Sequence, residues 1–201
     1  MSIARRLGAA ALAAALLLAG GCDKIFPASR TPFHGVDVTG TNIGGELRLT
    51  DATGHARSLA DFRGKVVVVI FGYTQCPDVC PTTLANYAGA VKRLGADGAN
   101  VQVVFVTVDP KRDTAQLLRQ YVTAFNPSFI ALRGGAAATE KVIHDFRILV
   151  EEHPGKTPES YTVDHSSQVF VFDRAGRLRL VIPADSTAEP IADDLRILLN
   201  S

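Results

Sequence analysis

The sequence predicts an α/β fold, a central mixed β-sheet flanked by helices, with an N-terminal extension. Three observations predict it. Two solid apolar runs rich in β-branched residues, Val66 to Phe71 and Val101 to Val108, have the composition of strands buried on both faces. Each leads into a stretch with apolar residues at helical spacing, Thr82 to Leu94 and Thr114 to Phe125. The chain then closes on two apolar runs around Arg174-Ala175-Gly176, a hairpin signal, followed by an amphipathic helix from Pro190 to Leu199.

The chain has 201 residues, enough for one domain once its ends are set aside. Residues 1–21 are read as a signal segment. Arg5 and Arg6 form a positive start, Leu7 to Ala19 is apolar, and Gly20-Gly21-Cys22 offers small residues at a cleavage point. The apolar stretch is shorter than the roughly 20 residues a membrane span needs. A cysteine directly behind two glycines resembles the signal of bacterial lipoproteins, which makes Cys22 the expected lipid anchor. That resemblance implies a bacterial cell-envelope location, lipid-anchored to the inner membrane and facing the periplasm, with Asp23 fitting inner-membrane retention. Cleavage would remove two arginines and turn the formal charge from +1 to −1. No basic patch results, so nucleic acid is not an expected partner, and nothing demands more than a monomer.

Residues 22–42 carry Pro, Gly, Ser and Thr without periodicity and read as a flexible membrane tether, with residues 43–201 as the domain. Residues 45–50 alternate polar and apolar, as a half-buried strand does. Gly95 is placed to end the first helix. Thr139 to Ile148 reads as a shorter helix. Val150 to Tyr161, with Pro154, Gly155 and Pro158, reads as an excursion loop. Gln168 to Asp173 and Leu178 to Ile182 are the hairpin strands.

The chemistry concentrates in Cys76-Pro77-Asp78-Val79-Cys80-Pro81, at a strand-to-helix junction. Thiols four apart on a helix have β-carbons about 5–6 Å apart, wider than the roughly 3.5–4.5 Å of a disulfide. A metal tolerates the wider gap, since each metal–sulfur bond spans about 2.3 Å. The spacing therefore suits both a soft metal and, with local loosening, a redox-active pair. Pro77 fits a first helical turn, which would set both sulfurs near the positive end of a helix and favour thiolate. Thiolates select soft ions such as Cu(I), and an added imidazole admits Cu(II) and zinc. Five histidines are available: His34, His55, His144, His153 and His165. His165 heads the strand expected to pair beside Val66 to Phe71, while the others fall in expected loops or on a helix face. Met1 is the only methionine and tryptophan is absent, which excludes methionine-rich copper carriers and the Trp-Cys-x-x-Cys arrangement.

Four stretches then carry a family resemblance: Phe71 to Thr82 around the cysteines, Val106-Thr107-Val108-Asp109-Pro110-Lys111-Arg112-Asp113-Thr114, Phe129 to Gly134, and Tyr161-Thr162-Val163-Asp164-His165-Ser166. In this order they resemble the Sco/SenC family of copper-binding assembly factors for cytochrome c oxidase. The resemblance implies a thioredoxin-like fold and copper, Cu(I) or Cu(II), held by Cys76, Cys80 and His165. It implies the copper-receiving subunit of the oxidase as a partner, and because the thiols must be reduced to bind, a thiol reductant is expected as well. Asp164 is a candidate partner orienting the His165 imidazole, or else a turn residue, and Asp109 is read as a capping residue at a strand end. Two further readings share the cysteines. One is a thiol-disulfide oxidoreductase in which Cys76 attacks and Cys80 resolves. The other is a copper or redox sensor.

Overall fold

The run from Val66 has no polar position to turn toward water, and the fold places it at the centre of the sheet. The computed structural model describes residues 31–157 and 160–201. The expected signal segment and Cys22 lie outside the described residues.

The strands are β1 (Val36–Asp37), β2 (Leu49–Asp51), β3 (Ala56–Arg57), β4 (Val66–Gly72), β5 (Val101–Thr107), β6 (Ile130–Arg133), β7 (Val150–His153), β8 (Thr162–His165), β9 (Val169–Phe172) and β10 (Leu178–Ile182). The helices are α1 (Val79–Arg93), α2 (Ala115–Phe125), α3 (Ala136–Asp145) and α4 (Ala188–Leu199). Eight strands form one mixed sheet in the order β1-β10-β9-β4-β5-β6-β2-β3, with β4, β5 and β6 parallel and the remaining pairs antiparallel. This is the expected mixed α/β architecture, of thioredoxin-like type.

Every residue of β4 is buried, and its alternation splits the interior in two. Val66, Val68 and Ile70 meet Leu84 of α1, Leu118 of α2 and Leu195 of α4. Val67, Val69 and Phe71 meet Leu47, Phe146 behind α3, and Phe170 and Phe172 of β9. Burying each such side chain contributes about 1.5–3 kcal/mol, so the strand is anchored from both sides, and the loop leaving its C-terminal end starts from a rigid point. Gly95 ends α1 at φ +62, the left-handed conformation that glycine adopts without a β-carbon clash.

The structure differs from the sequence reading at five places. Residues 33–42, read as tether, belong to the folded unit Phe33–Ser201: Val36–Asp37 pairs with β10 at the sheet edge, and Asp194 accepts the His34 and Gly35 amides at 2.7 and 2.8 Å. The half-buried strand falls at residues 49–51 rather than 45–50. Ile130–Arg133 forms β6, a four-residue strand too short to show a period. The expected excursion loop contains β7, which pairs with β8 in a separate two-stranded sheet. His165 therefore ends β8 and does not pair with β4; the strand beside β4 is β9, which begins at Val169.

Candidate metal centre

The site is built on the C-terminal end of β4 and the first turn of α1. Helix α1 begins at Val79 with Asp78 as its N-cap, so Cys76 and Pro77 lie in the preceding turn and not on a helical face. The turn folds back on the helix: the Cys76 amide donates to the Tyr73 carbonyl at 3.2 Å, and the Cys80 amide donates to the Cys76 sulfur at 3.4 Å. Two groups fix this geometry from behind. Thr74 donates through its amide and hydroxyl to the buried Asp113 carboxylate, the hydroxyl at 2.6 Å, and Thr107 donates to the same carboxylate. Gly72 leaves room for Cys80, since a β-carbon there would stand 2.7 Å from the Cys80 sulfur.

The two thiols are unlike. Cys76 is half-buried, and its pKa is lowered from 9.0 to about 5. A hydrogen bond from the Cys80 thiol is the main cause. Partial burial opposes it, and the Cys80 and Asp78 amides and the His165 ring assist. Cys80 is 3% exposed, and its pKa is raised by that same shared hydrogen bond and by burial. At neutral pH the pair therefore carries one negative charge, centred on Cys76, with the remaining proton on Cys80. The sequence reading, in which a helix dipole activates both sulfurs alike, is corrected by this asymmetry.

His165 reaches the pair from β8, with Nε2 3.7 Å from the Cys80 sulfur. Its Nδ1 lies 2.9 Å from the Ser166 carbonyl oxygen. A carbonyl only accepts, so in the neutral ring Nδ1 carries the proton and Nε2 turns its lone pair toward the thiols. Ser166 thus fills the orienting role considered for Asp164. The Asp164 side chain is exposed and bonds to His153 Nε2 at 3.0 Å instead, because successive residues of a strand point to opposite faces. His153 lies in β7 rather than in a loop, and none of the other histidines faces the sulfurs. A groove lined by Tyr73, Cys76, Pro77, Val79, Val163 and His165 opens over the thiols. Among the described residues, no three His, Cys, Asp or Glu side chains already stand at the separations of a closed metal cage.

Sequence reasoning missed the tie between the cysteine loop and the histidine strand. The Arg112 guanidinium lies 3.5 Å from the Tyr161 ring centroid and 5.7 Å from that of Tyr73. Its Nη1 donates to the Tyr161 carbonyl at 2.7 Å and to Gln75 Oε1 at 3.2 Å, and its Nε pairs with Asp109. The Tyr161 hydroxyl donates to Asp109 at 2.6 Å, and burial with that bond pushes the phenol up to about 12. Asp109 caps Arg112 through a backbone bond, as its strand-end position suggested, and also anchors this cluster. The signal available in the sequence was Asp109-Pro110-Lys111-Arg112, an acid and an arginine three apart at a turn.

Comparison with known proteins adds the following. The sequence pattern of the SCO1/SenC family matches residues 37–200. The human mitochondrial protein SCO2 homolog is 35% identical over 154 residues, covering 76% of this chain and 58% of that protein, so the chain spans less than two thirds of that relative's length. The structure of Bradyrhizobium japonicum ScoI with copper bound is 37% identical, covers 78% of this chain and 99% of its own, and superposes with a TM-score of 0.72. The solution structures of apo Sco1 from Thermus thermophilus are 35% identical, cover 86% of this chain and 99% of theirs, and give a TM-score of 0.75.

Proposed function

The chain belongs to the SCO1/SenC family, and on that premise we propose that it carries copper as cargo, held by Cys76, Cys80 and His165, and hands it to a copper-receiving subunit of cytochrome c oxidase. One observation carries the reading: a thiolate, a second sulfur and a proton-free imidazole nitrogen converge from two separate segments, with Cys80 Sγ and His165 Nε2 3.7 Å apart. The donor set fits the ion. Two sulfurs suit Cu(I), and the imidazole extends the site to Cu(II). Cys76 is already ionised, so loading displaces the single proton held on Cys80, and affinity rises with pH. The relative solved with copper supports this choice of cargo. Lipid anchoring through Cys22 at an envelope membrane would hold the carrier near a membrane-bound recipient. No helix among the described residues is long and apolar enough to cross a membrane.

A second reading draws on the unequal thiols. In a thiol-disulfide exchange, the Cys76 thiolate attacks a partner disulfide and releases one partner thiolate. Cys80 gives up its proton and attacks the Cys76 sulfur, releasing the second partner thiol. The chain is left with a Cys76–Cys80 disulfide, which a thiol reductant must reduce again. The low pKa of Cys76 and the burial of Cys80 suit that order of events.

Copper titration of the reduced protein separates the two. Sulfur-to-Cu(II) charge-transfer absorption and competition with a Cu(I) chelator are followed for the native chain, His165→Ala and Cys80→Ser. One equivalent of copper, weakened in both variants, is expected. Weak binding indifferent to His165, with rapid reduction of a disulfide substrate, would sink the carrier reading in favour of the exchange enzyme.

A further inference from the structure

We propose that Arg112 is a positioning residue that locks the β7–β8 arm to the cysteine loop and so sets where His165 presents Nε2. The copper readout of this proposal rests on the carrier reading; its exchange readout does not. The need for a lock follows from the topology. Strands β7 and β8 pair only with each other, so the ladder of the main sheet does not hold the histidine. Side-chain ties must do so. The Val163 side chain is buried in the second core layer but makes no directional bond there, its amide meets the Tyr73 hydroxyl at 3.5 Å, a long contact, and the Lys111–Glu152 ion pair is exposed, which makes it worth little. Arg112 is different, since its side chain is only 12% exposed.

Its single Nη1 bridges the two pieces that must meet. One bond reaches the Tyr161 carbonyl, four residues before His165, and the other reaches Gln75, the residue before Cys76. The flat guanidinium stacks on Tyr161 from the arm and faces Tyr73 from the cysteine loop. Asp109 completes the assembly by accepting hydrogen bonds from Arg112 Nε and the Tyr161 hydroxyl together. A planar fork with delocalised charge makes all these contacts at once; a lysine ammonium has neither the plane nor the stacking face. Arg112 acts on the proposed ligands through their neighbours, on His165 through Tyr161 and the strand that follows, and on the cysteine loop through Gln75 and Tyr73.

The test uses the full chain with Arg112→Met and Arg112→Lys, the second keeping charge and stem while losing the fork. Hydrogen exchange of the amides of residues 161–165 is measured on reduced, metal-free protein, with the β4 amides as an internal control. Exchange in the arm is expected to speed up about tenfold or more in both variants while β4 is unchanged, as for a local opening. Copper affinity is then compared in the native and His165→Ala backgrounds. The Arg112 variants should lose about tenfold or more where His165 is present, the scale typical of residues that orient a metal ligand, and under about twofold where it is absent. Unchanged arm exchange in both variants would overturn the proposal, as would an equal copper loss in the two backgrounds. If the native chain binds no copper, the carrier reading fails and the exchange comparison alone decides the role of Arg112.

Discussion

Replacing Gly72 with alanine puts a single methyl into the most crowded point of the centre. The new β-carbon would lie 2.7 Å from the Cys80 sulfur and 2.8 and 2.9 Å from two carbons of the Phe105 ring. Unbonded heavy atoms rest about 3.5–4.0 Å apart, so roughly 1 Å must be found. Phe105 cannot supply it: the ring is fully buried and packs against Tyr121 with centroids 5.6 Å apart. The Cys80 sulfur turns about one side-chain bond, so it is the atom that moves. Overpacking of this kind costs about 1–3 kcal/mol, which lowers the melting temperature by about 2–12 °C in a domain of this size. The chemical effect is more specific. Moving the Cys80 thiol away removes the main donor that holds Cys76 as a thiolate, so the Cys76 pKa should climb from about 5 toward the ordinary 9.0. The assay is the pH dependence of Cys76 alkylation by iodoacetamide, read by mass on reduced protein and set beside a thermal melt. A Gly72→Ala protein that keeps its alkylation midpoint near 5 and melts with the native chain would refute the packing argument.

Two more predictions test the electrostatics and the core separately. Cys80→Ala should raise the alkylation midpoint of Cys76 above 5 yet leave it below 9.0, because the thiol donor is lost while the amides of residues 78 and 80 remain; an unmoved midpoint would show that the shared hydrogen is not the cause. Phe146→Ala removes a fully buried ring packed against Phe71, Phe170 and Phe172 at centroid distances of 5.1, 5.2 and 6.1 Å, so urea unfolding should show a loss of about 3–5 kcal/mol, and a loss under about 1 kcal/mol would mean that the second core layer is not tightly packed.

The parts of the fold that were readable from sequence are those with one dominant local signal. Val66 to Phe71 and Val101 to Val108 could only be buried strands, and Leu84, Tyr87 and Val91 marked the inner stripe of α1. The β9–β10 hairpin announced itself at Ala175-Gly176. Short or polar strands were hidden: β7 reads Val-Glu-Glu-His, and only its pairing with β8 makes it a strand. At the centre, His165 was one of five histidines and was singled out by the family resemblance, whereas Cys76 and Cys80 were legible because cysteine is scarce and chemically committed. The inequality of the two thiols was not, because it arises from the burial of Cys80 and from one shared hydrogen, which a spacing of four does not specify. The Arg112 cluster stayed invisible for a different reason. Gln75, Asp109, Arg112 and Tyr161 lie up to 86 positions apart, and each alone reads as an ordinary turn or surface residue.

The order of residues along the chain also separates what survives unfolding from what does not. Cys76 and Cys80 stay neighbours in any conformation, because four positions cannot carry them far apart. His165 follows 85 positions after Cys80, a loop closed only when the sheet and its arm have assembled. A denatured or newly made chain thus offers a bare dithiol, open to oxidation and to any thiophilic ion. The imidazole meets the sulfurs only across that long loop, so its place beside them is a local sign that the sheet and its arm are both assembled.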